Sequence, residues 1–366
     1  MMGGSSRRHR RDGASRGRSA PTRSSERSAD RARVRNYQRL AQTARMDIGT
    51  TLPTGCTGDY QVAPDALRDW ATAADDAGFA GLWTLDHLVT PEPYVTSVLN
   101  PLVALSHAAA VTDDIPLGTS ILLLPLRGAT NTADAALSLQ YLAERQVTLG
   151  LGAGYVPDEF EVTGVPRNER GPRLSEGIDV LQELFSGNGS YDGRFHQFED
   201  IAMDPVLDDP PRVLAGGSSL YTGGEMPKPM LDRIVRSDGW IAPPLAPERA
   251  EKDWAAITAH AEERGVDPDG LDRVTLNYCY VVDTEDSEAA YERQREASAE
   301  FFSPERGFDH ARENCLTGSL SDIHEQLTAY EEFGFDQVIA GTPAHAPDDL
   351  AAQMELLTAE LLDAWG

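Results

Sequence analysis

The sequence predicts an α/β protein, a (β/α)8 TIM-type barrel with insertions after strands 4, 5 and 7. Three observations predict it. Strand-like and helix-like segments alternate from Met46 onward, and eight such repeats in about 320 residues fill one barrel. The stretch Ile115–Tyr155 holds two apolar runs around one amphipathic helix, the β-α-β unit from which parallel sheets are built. Small residues crowd the ends of both runs, Gly118-Thr119-Ser120 in the first and Gly150 to Gly154 after the second. In a barrel such strand ends form the mouth where ligands bind.

The elements follow in order. Strand 1, Asp47–Thr51, lies in the segment MDIGTTLP. The helix Asp65–Ala77 stops at Gly78, a residue type suited to the left-handed turn that closes a helix. Strand 2 is Gly81–Leu85 and strand 3 is Pro116–Leu124, with the helix Leu99–Val111 between them. The helix Asn131–Glu144 leads to strand 4, Gln146–Leu151, and Pro157–Arg173 reads as a long loop. In the helix Arg170–Phe185, Leu174, Ile178, Leu181, Leu184 and Phe185 recur at three- and four-residue spacing and make one buried stripe. Tyr191–Phe198, YDGRFHQF, alternates around a glycine and reads as a small hairpin. Strand 5, Arg212–Ala215, is followed by the Gly/Pro loop Tyr221–Pro229 and the helix Pro227–Arg236. Strand 6 is Gly239–Ala242, and the helix Pro247–Arg264 precedes strand 7, Val274–Val282. The helix Ser287–Phe302, a link Glu305–Thr317 and an extra helix Ser319–Phe333 bring the chain to strand 8, Gln337–Ala340, and a last helix Pro347–Ala364. A doubly wound sheet fits less well, because it leaves two inserts unexplained.

The net charge of −27 joins two opposed parts. Residues 1–45 hold thirteen Arg against three acids, a balance of +10, which leaves −37 on residues 46–366. The tail is rich in Arg, Ser and Gly and nearly free of large apolar side chains, so it cannot bury enough surface to fold. It reads as a disordered extension, or as a stretch translated ahead of the true start. The domain proper is then 46–366. So acidic a body repels nucleic acid and anionic membranes. It reads as a surface kept soluble at high salt, as in halophilic proteins. No apolar run approaches the roughly 20 residues that span a bilayer, and the basic N-terminus leads into no apolar segment of a secretory signal. The expected compartment is the cytoplasm. Cys56, Cys279 and Cys315 are widely spaced and show neither a disulfide framework nor zinc-type spacing, so no metal site is expected. Cys279 reads as a small buried hydrophobe, and Cys56, after strand 1, as a residue that packs or borders a pocket.

Functional residues are sought just past the strands. Strand 2 is followed by Asp86-His87, where an acid beside an imidazole orients a ligand, moves a proton or only packs beside the pocket. In strand 3, Thr119, Ser120 and Ile121 belong to a small-residue run that either lets a flat ring approach the backbone or simply packs the barrel. After strand 4, Gly150-Leu151-Gly152-Ala153-Gly154 is a lone GxGxG, short of a complete dinucleotide fingerprint, and no P-loop pattern occurs. After strand 5, Ala215-Gly216-Gly217-Ser218-Ser219 offers backbone N–H groups and two hydroxyls to a phosphate without a lysine; an ordinary loop is the alternative. Trp240, on strand 6, either stacks near a ligand or fills the barrel.

Taken in order, AGFAGLWTLDHL, IPLGTSILLLPLR, the run from Thr148 to Gly187, YDGRFHQF, VLAGGSS and SDGW resemble the luciferase-like monooxygenase superfamily, and especially its deazaflavin-dependent branch. The resemblance covers nearly all of 46–366. It implies a (β/α)8 barrel, usually a homodimer, with a flavin or deazaflavin across its mouth. It implies a non-proline cis peptide at Ser120–Ile121, whose bulge presses on the middle ring. It also implies Asp86 near the ring, His87 near the substrate, and cofactor contacts from Thr119, Ser120, Ile121, Gly152, Gly154 and Tyr155. Ala215, Gly216, Gly217, Ser218 and Ser219 would hold the cofactor phosphate. The chain also departs from the family. Tyr155 stands where its sugar-phosphate dehydrogenases carry Glu, their basic substrate-phosphate cluster is not evident, and Gly128-Ala129-Thr130 replaces the usual Asn-Pro.

The expected function is therefore hydride transfer between coenzyme F420 and a small organic substrate, with His87 handling the substrate proton. The acidity tilts the choice, because many halophiles are archaea that make the deazaflavin. The alternatives are a monooxygenase using reduced FMN and oxygen with a separate reductase, and a noncatalytic flavin-binding relative. The outer pocket wall is expected from Pro91–Val98, Tyr155–Arg173 and Glu305–Thr317.

Overall fold

The computed structural model describes residues 45–57, 62–89, 96–299, 307–344 and 346–363. The expected N-terminal extension lies outside these residues except for Arg45, as do most of Pro91–Val98 and the side chain of Cys56. Eight parallel strands close into a barrel in sequence order: β1 Asp47–Thr51, β2 Leu82–Thr84, β3 Leu117–Leu122, β4 Val147–Leu151, β5 Arg212–Gly216, β6 Gly239–Ala242, β7 Asp272–Tyr278 and β8 Gln337–Gly341. β1 pairs with both β2 and β8, so no barrel edge is left open.

Alternation along the strands sorts side chains into two cores. Leu214, Ile241 and Ile339 point into the barrel and join Trp83, Val274 and Leu276 there. Their neighbours Val213, Ala215, Trp240, Ala242, Val338 and Ala340 face the surrounding helices. Trp240 is thus packing, stacked between Trp254 and Phe335 at ring distances of 6.2 and 6.0 Å. Its indole N–H donates to the Gly217 carbonyl at 2.7 Å and holds the turn after β5.

Trp83 fills the barrel interior where three strands carry no side chain. A Cβ at Gly118 would overlap its six-membered ring, and one at Gly81 or Gly49 would stand 2.7 or 3.0 Å from its indole nitrogen.

Several boundaries differ from the sequence-based expectation, each for a local reason. Pro157–Arg173 is not a loop. It holds a helix Pro157–Thr163, a 3-10 turn Arg167–Glu169 and the first turn of the helix Arg170–Phe185. The start signal Pro157-Asp158-Glu159 and the left-handed stop at Gly164 lie too close together for a periodicity to show. Strand 3 ends at Leu122 rather than Leu124, because Leu124–Arg127 turns helical and Gly128, at φ 81°, leads into a helix starting at Ala129. Strand 7 ends at Tyr278 rather than Val282. Beyond it the Gln353 side chain takes both Val281 N–H and Val281 C=O at 2.9 Å, standing in for a strand partner. The link Glu305–Thr317 contains a helix Gly307–Asn314. A two-stranded ribbon, Gly55–Thr57 with Thr96–Val98, has no counterpart in the sequence reading. The hairpin forms as Tyr191–Asp192 against Gln197–Phe198. Cys279 is buried, and burial pushes its thiol up to about 12.

Gly118→Ala should destabilise the fold by about 1–3 kcal/mol, since an added methyl must displace a packed ring. A compatible Gly→Ala change would instead stabilise by under about 1 kcal/mol. A denaturant midpoint, with tryptophan emission followed alongside, decides the sign.

Candidate active site at the barrel rim

Four strand ends meet around one rim. β2 delivers Asp86 and His87, β3 delivers Ser120 and Ile121, β4 delivers Gly152 to Tyr155, and β5 delivers Gly216 to Ser219. The Ser120–Ile121 peptide is cis, and the β3–β4 register shifts between Ser120 and Leu122. The Ile121 side chain lies over the neighbouring glycines. A Cβ on Gly152 would overlap its Cδ1, and one on Gly216 would stand 3.6 Å from its Cγ2. Gly152, just after β4, is therefore what admits Ile121 to the rim, while at Gly216 the close neighbour is the Leu151 carbonyl, 3.0 Å from a Cβ.

His87 stands half-buried at this rim, with 23% of its side chain accessible. Its Nδ1 meets Glu159 Oε1 at 3.1 Å, and the same oxygen accepts from Leu88 N–H at 2.7 Å. Glu159 is wholly buried, and its Oε2 has no protein partner among the described residues. Tyr155 meets the His87 ring edge to face, centroids 5.7 Å apart at 88°. Gly154, at φ 78°, makes the turn that sets Tyr155 there, and its missing Cβ leaves room for the buried Phe160 ring. Sequence reasoning missed Glu159. Its one signal, an acid two residues after Pro157, reads as an ordinary first-turn carboxylate on a helix surface.

Asp86 does different work. Its Oδ1 binds Arg127 Nη2 at 2.5 Å, while Oδ2 takes Arg127 Nε at 3.2 Å and Leu123 N–H at 2.9 Å. Both oxygens are engaged and the side chain is fully buried. This bidentate pair ties β2 to the turn after β3, which makes Asp86 a positioning residue. Two more candidates are turned away from the mouth. Thr119 is buried and gives its hydroxyl to Gly150 C=O at 3.0 Å, and Ala215 packs in the outer core.

The turn after β5 is braced from below. Asp253 Oδ2 accepts from Ser218 Oγ at 2.7 Å and from Ser219 N–H at 2.9 Å, and Ser218 Oγ also caps Leu220 N–H at 3.0 Å. Two donors that a phosphate would have claimed are thus spent on a carboxylate. The Ser219 hydroxyl is buried and accepts from Arg249 Nη1 at 3.4 Å, which brings a cation to the turn.

The rim fits a flat ring with a phosphate tail. The Oγ of Ser120 is buried without a protein partner among the described residues. The side-chain-free positions at Gly152 and Gly216 flank Ile121. Among the described residues no group of three or more His, Cys, Asp or Glu side chains is placed to hold a metal, and no helix is long and apolar enough to cross a membrane.

Comparison with known proteins agrees with this geometry. Residues 46–357 match the family model described as luciferase-like monooxygenase. An F420-dependent hydroxymycolic acid dehydrogenase of Mycobacterium tuberculosis is 31% identical over 215 residues, covering 58% of each chain. Among solved structures, an F420-dependent secondary alcohol dehydrogenase in complex with an F420-acetone adduct superposes with a TM-score of 0.72 at 16% identity, covering 87% of this chain and 98% of its own. The FMN complex of the oxygenating constituent of 3,6-diketocamphane monooxygenase from Pseudomonas putida gives a TM-score of 0.66 at 18% identity, covering 87% and 98%.

Asp86→Ala should cost about 3 kcal/mol or more, because it strands a partly buried guanidinium and a buried N–H. Chemical unfolding measures this loss. A variant that keeps wild-type stability would show that the pair does not hold the rim together.

Proposed function

The chain belongs to the luciferase-like monooxygenase family, and from that premise we propose that it is an oxidoreductase exchanging hydride between coenzyme F420 and a small organic substrate. The observation that carries the proposal is His87, raised at the rim on a buried carboxylate beside a cradle of glycines and the partnerless Ser120 hydroxyl. The 31% identity with an F420-dependent dehydrogenase supports the deazaflavin over the flavin. When bound, F420 supplies two-electron hydride exchange, and the protein supplies position and proton handling. Ser120, Ile121, Gly152 and Gly216 would line the ring, while the turn after β5 and Arg249 would take the phosphate. His87 accepts the substrate proton as hydride leaves carbon, or returns it in the reverse direction. Tyr155 packs against the imidazole and helps to hold it at the rim. The family's description as monooxygenases supports a second reading, reduced FMN with oxygen and a separate reductase.

Titrating cofactor-free protein with F420 and with FMN tests the proposal. Saturable F420 binding, followed by F420 reduction with a panel of short primary and secondary alcohols, is the expected result. FMN binding alone, with oxygen uptake once the FMN is reduced, would replace it with the second reading. His87→Ala should keep F420 affinity within about twofold and lose about 10²–10⁴ in turnover, the range of a lost acid–base group. Undiminished turnover in that variant would remove His87 from the chemistry.

A further inference from the structure

We propose that Glu159 is the positioning residue that fixes the tautomer of His87. The inference rests on the reading above that His87 moves the substrate proton. One oxygen carries the argument. Glu159 Oε1 accepts from Leu88 N–H at 2.7 Å, and a backbone N–H can only donate. That bond, together with full burial, holds Oε1 in place as an acceptor. His87 Nδ1 lies 3.1 Å from the same oxygen and, opposite an ionised carboxylate, which can only accept, must bring a proton to it. A neutral imidazole has one N–H, so Nε2 is then the bare lone pair. Nδ1 faces a carboxylate with no exposed surface while a quarter of the His87 side chain stays accessible. The nitrogen left for a substrate hydroxyl is therefore the accepting one. The opposite tautomer would place two lone pairs against each other at Nδ1 and offer the substrate a donor.

The carboxylate comes from an unusual place. It sits on the seven-residue helix Pro157–Thr163, four residues past Tyr155. Thr163 Oγ1 donates to the Glu159 carbonyl at 2.7 Å and Gly164 closes the helix, so the short segment is braced at its C-terminal end. The insertion after β4 thus supplies both contacts of the imidazole, Glu159 at Nδ1 and Tyr155 at its face.

Nitrogen-15 spectra of histidine-labelled, cofactor-free protein test the inference without any turnover, with the His87 signals assigned by their loss in His87→Gln. At a pH where His87 is neutral, the wild type should show a protonated Nδ1 and a bare Nε2. Glu159→Gln keeps an oxygen for Leu88 N–H and should keep the same tautomer. Glu159→Leu removes the acceptor and should mix the two forms. The inference is overturned if wild-type His87 carries its proton on Nε2, or if Glu159→Leu leaves the wild-type pattern intact. Should Glu159→Leu not fold, the wild-type and Glu159→Gln spectra still decide, because a protonated Nε2 in either contradicts it. If the spectra come out as expected while His87→Ala retains turnover, the tautomer lock stands and the proton-transfer reading falls.

Discussion

The rim depends on what the barrel does not contain. Gly49, Gly81 and Gly118 leave the interior of three strands without side chains, and the single indole of Trp83 occupies that space. A close-packed interior does not tolerate an extra methyl cheaply, so the glycines and the tryptophan constrain each other. With the interior filled, the last inward positions of the strands form a surface rather than a pore. Ile121 repeats the device one layer higher, lying over Gly152 and Gly216. The side-chain-free positions that make the mouth approachable are also the ones that let large apolar groups settle there. Substitutions at these glycines are therefore packing changes before they are changes of ligand affinity.

On this base, the parts of the site are held by charge pairs of different character. Asp86 and Arg127 form a bidentate bridge whose work is architectural, joining β2 to the turn after β3. Glu159 and His87 form a pair in which one member is fully buried and the other reaches the rim. A buried carboxylate with few donors is expensive, and among the described residues Glu159 has hydrogen-bond partners at Oε1 but none at Oε2. An expense of this kind beside an imidazole at the rim marks a candidate functional constellation rather than ordinary packing.

The barrel was legible because its signals are long: eight apolar runs, helices of ten residues or more, and glycine or proline at their ends. The resemblance placed the cis peptide at Ser120–Ile121, and the structure has it there. The short elements were not legible. The helix Pro157–Thr163 spans fewer than two turns, so no stripe could reveal it, and with it Glu159 was hidden. Val281 looked like strand because its neighbours are apolar, yet its backbone partner is a glutamine side chain from the last helix, a contact 72 residues away. Asp86 was visible as an acid beside a histidine, but adjacency in sequence says nothing of direction, and the two side chains serve different partners. Arg127 and Asp253, which hold Asp86 and the turn after β5, lie 41 and 34 or more residues from what they hold.

The turn after β5 shows how such a distant contact changes the chemistry read from a local motif. Gly-Gly-Ser-Ser suggests free donors awaiting an anion, yet Asp253 already holds the Ser218 hydroxyl and the Ser219 N–H. A carboxylate directly beneath the turn would repel a phosphate placed above it. The opposing charge comes from the same helix. Arg249 stands four residues before Asp253, one turn away, with its guanidinium near Ser219 Oγ. The helix Pro247–Arg264 thus presents an acid that rigidifies the turn and a base that offsets that acid toward the mouth. Fixing the loop costs two donors, and the arginine restores the attraction they would have provided. An anion at this turn then depends on a long-range ion contact as well as on backbone N–H groups, so its affinity should fall with ionic strength more steeply than a purely backbone nest would allow.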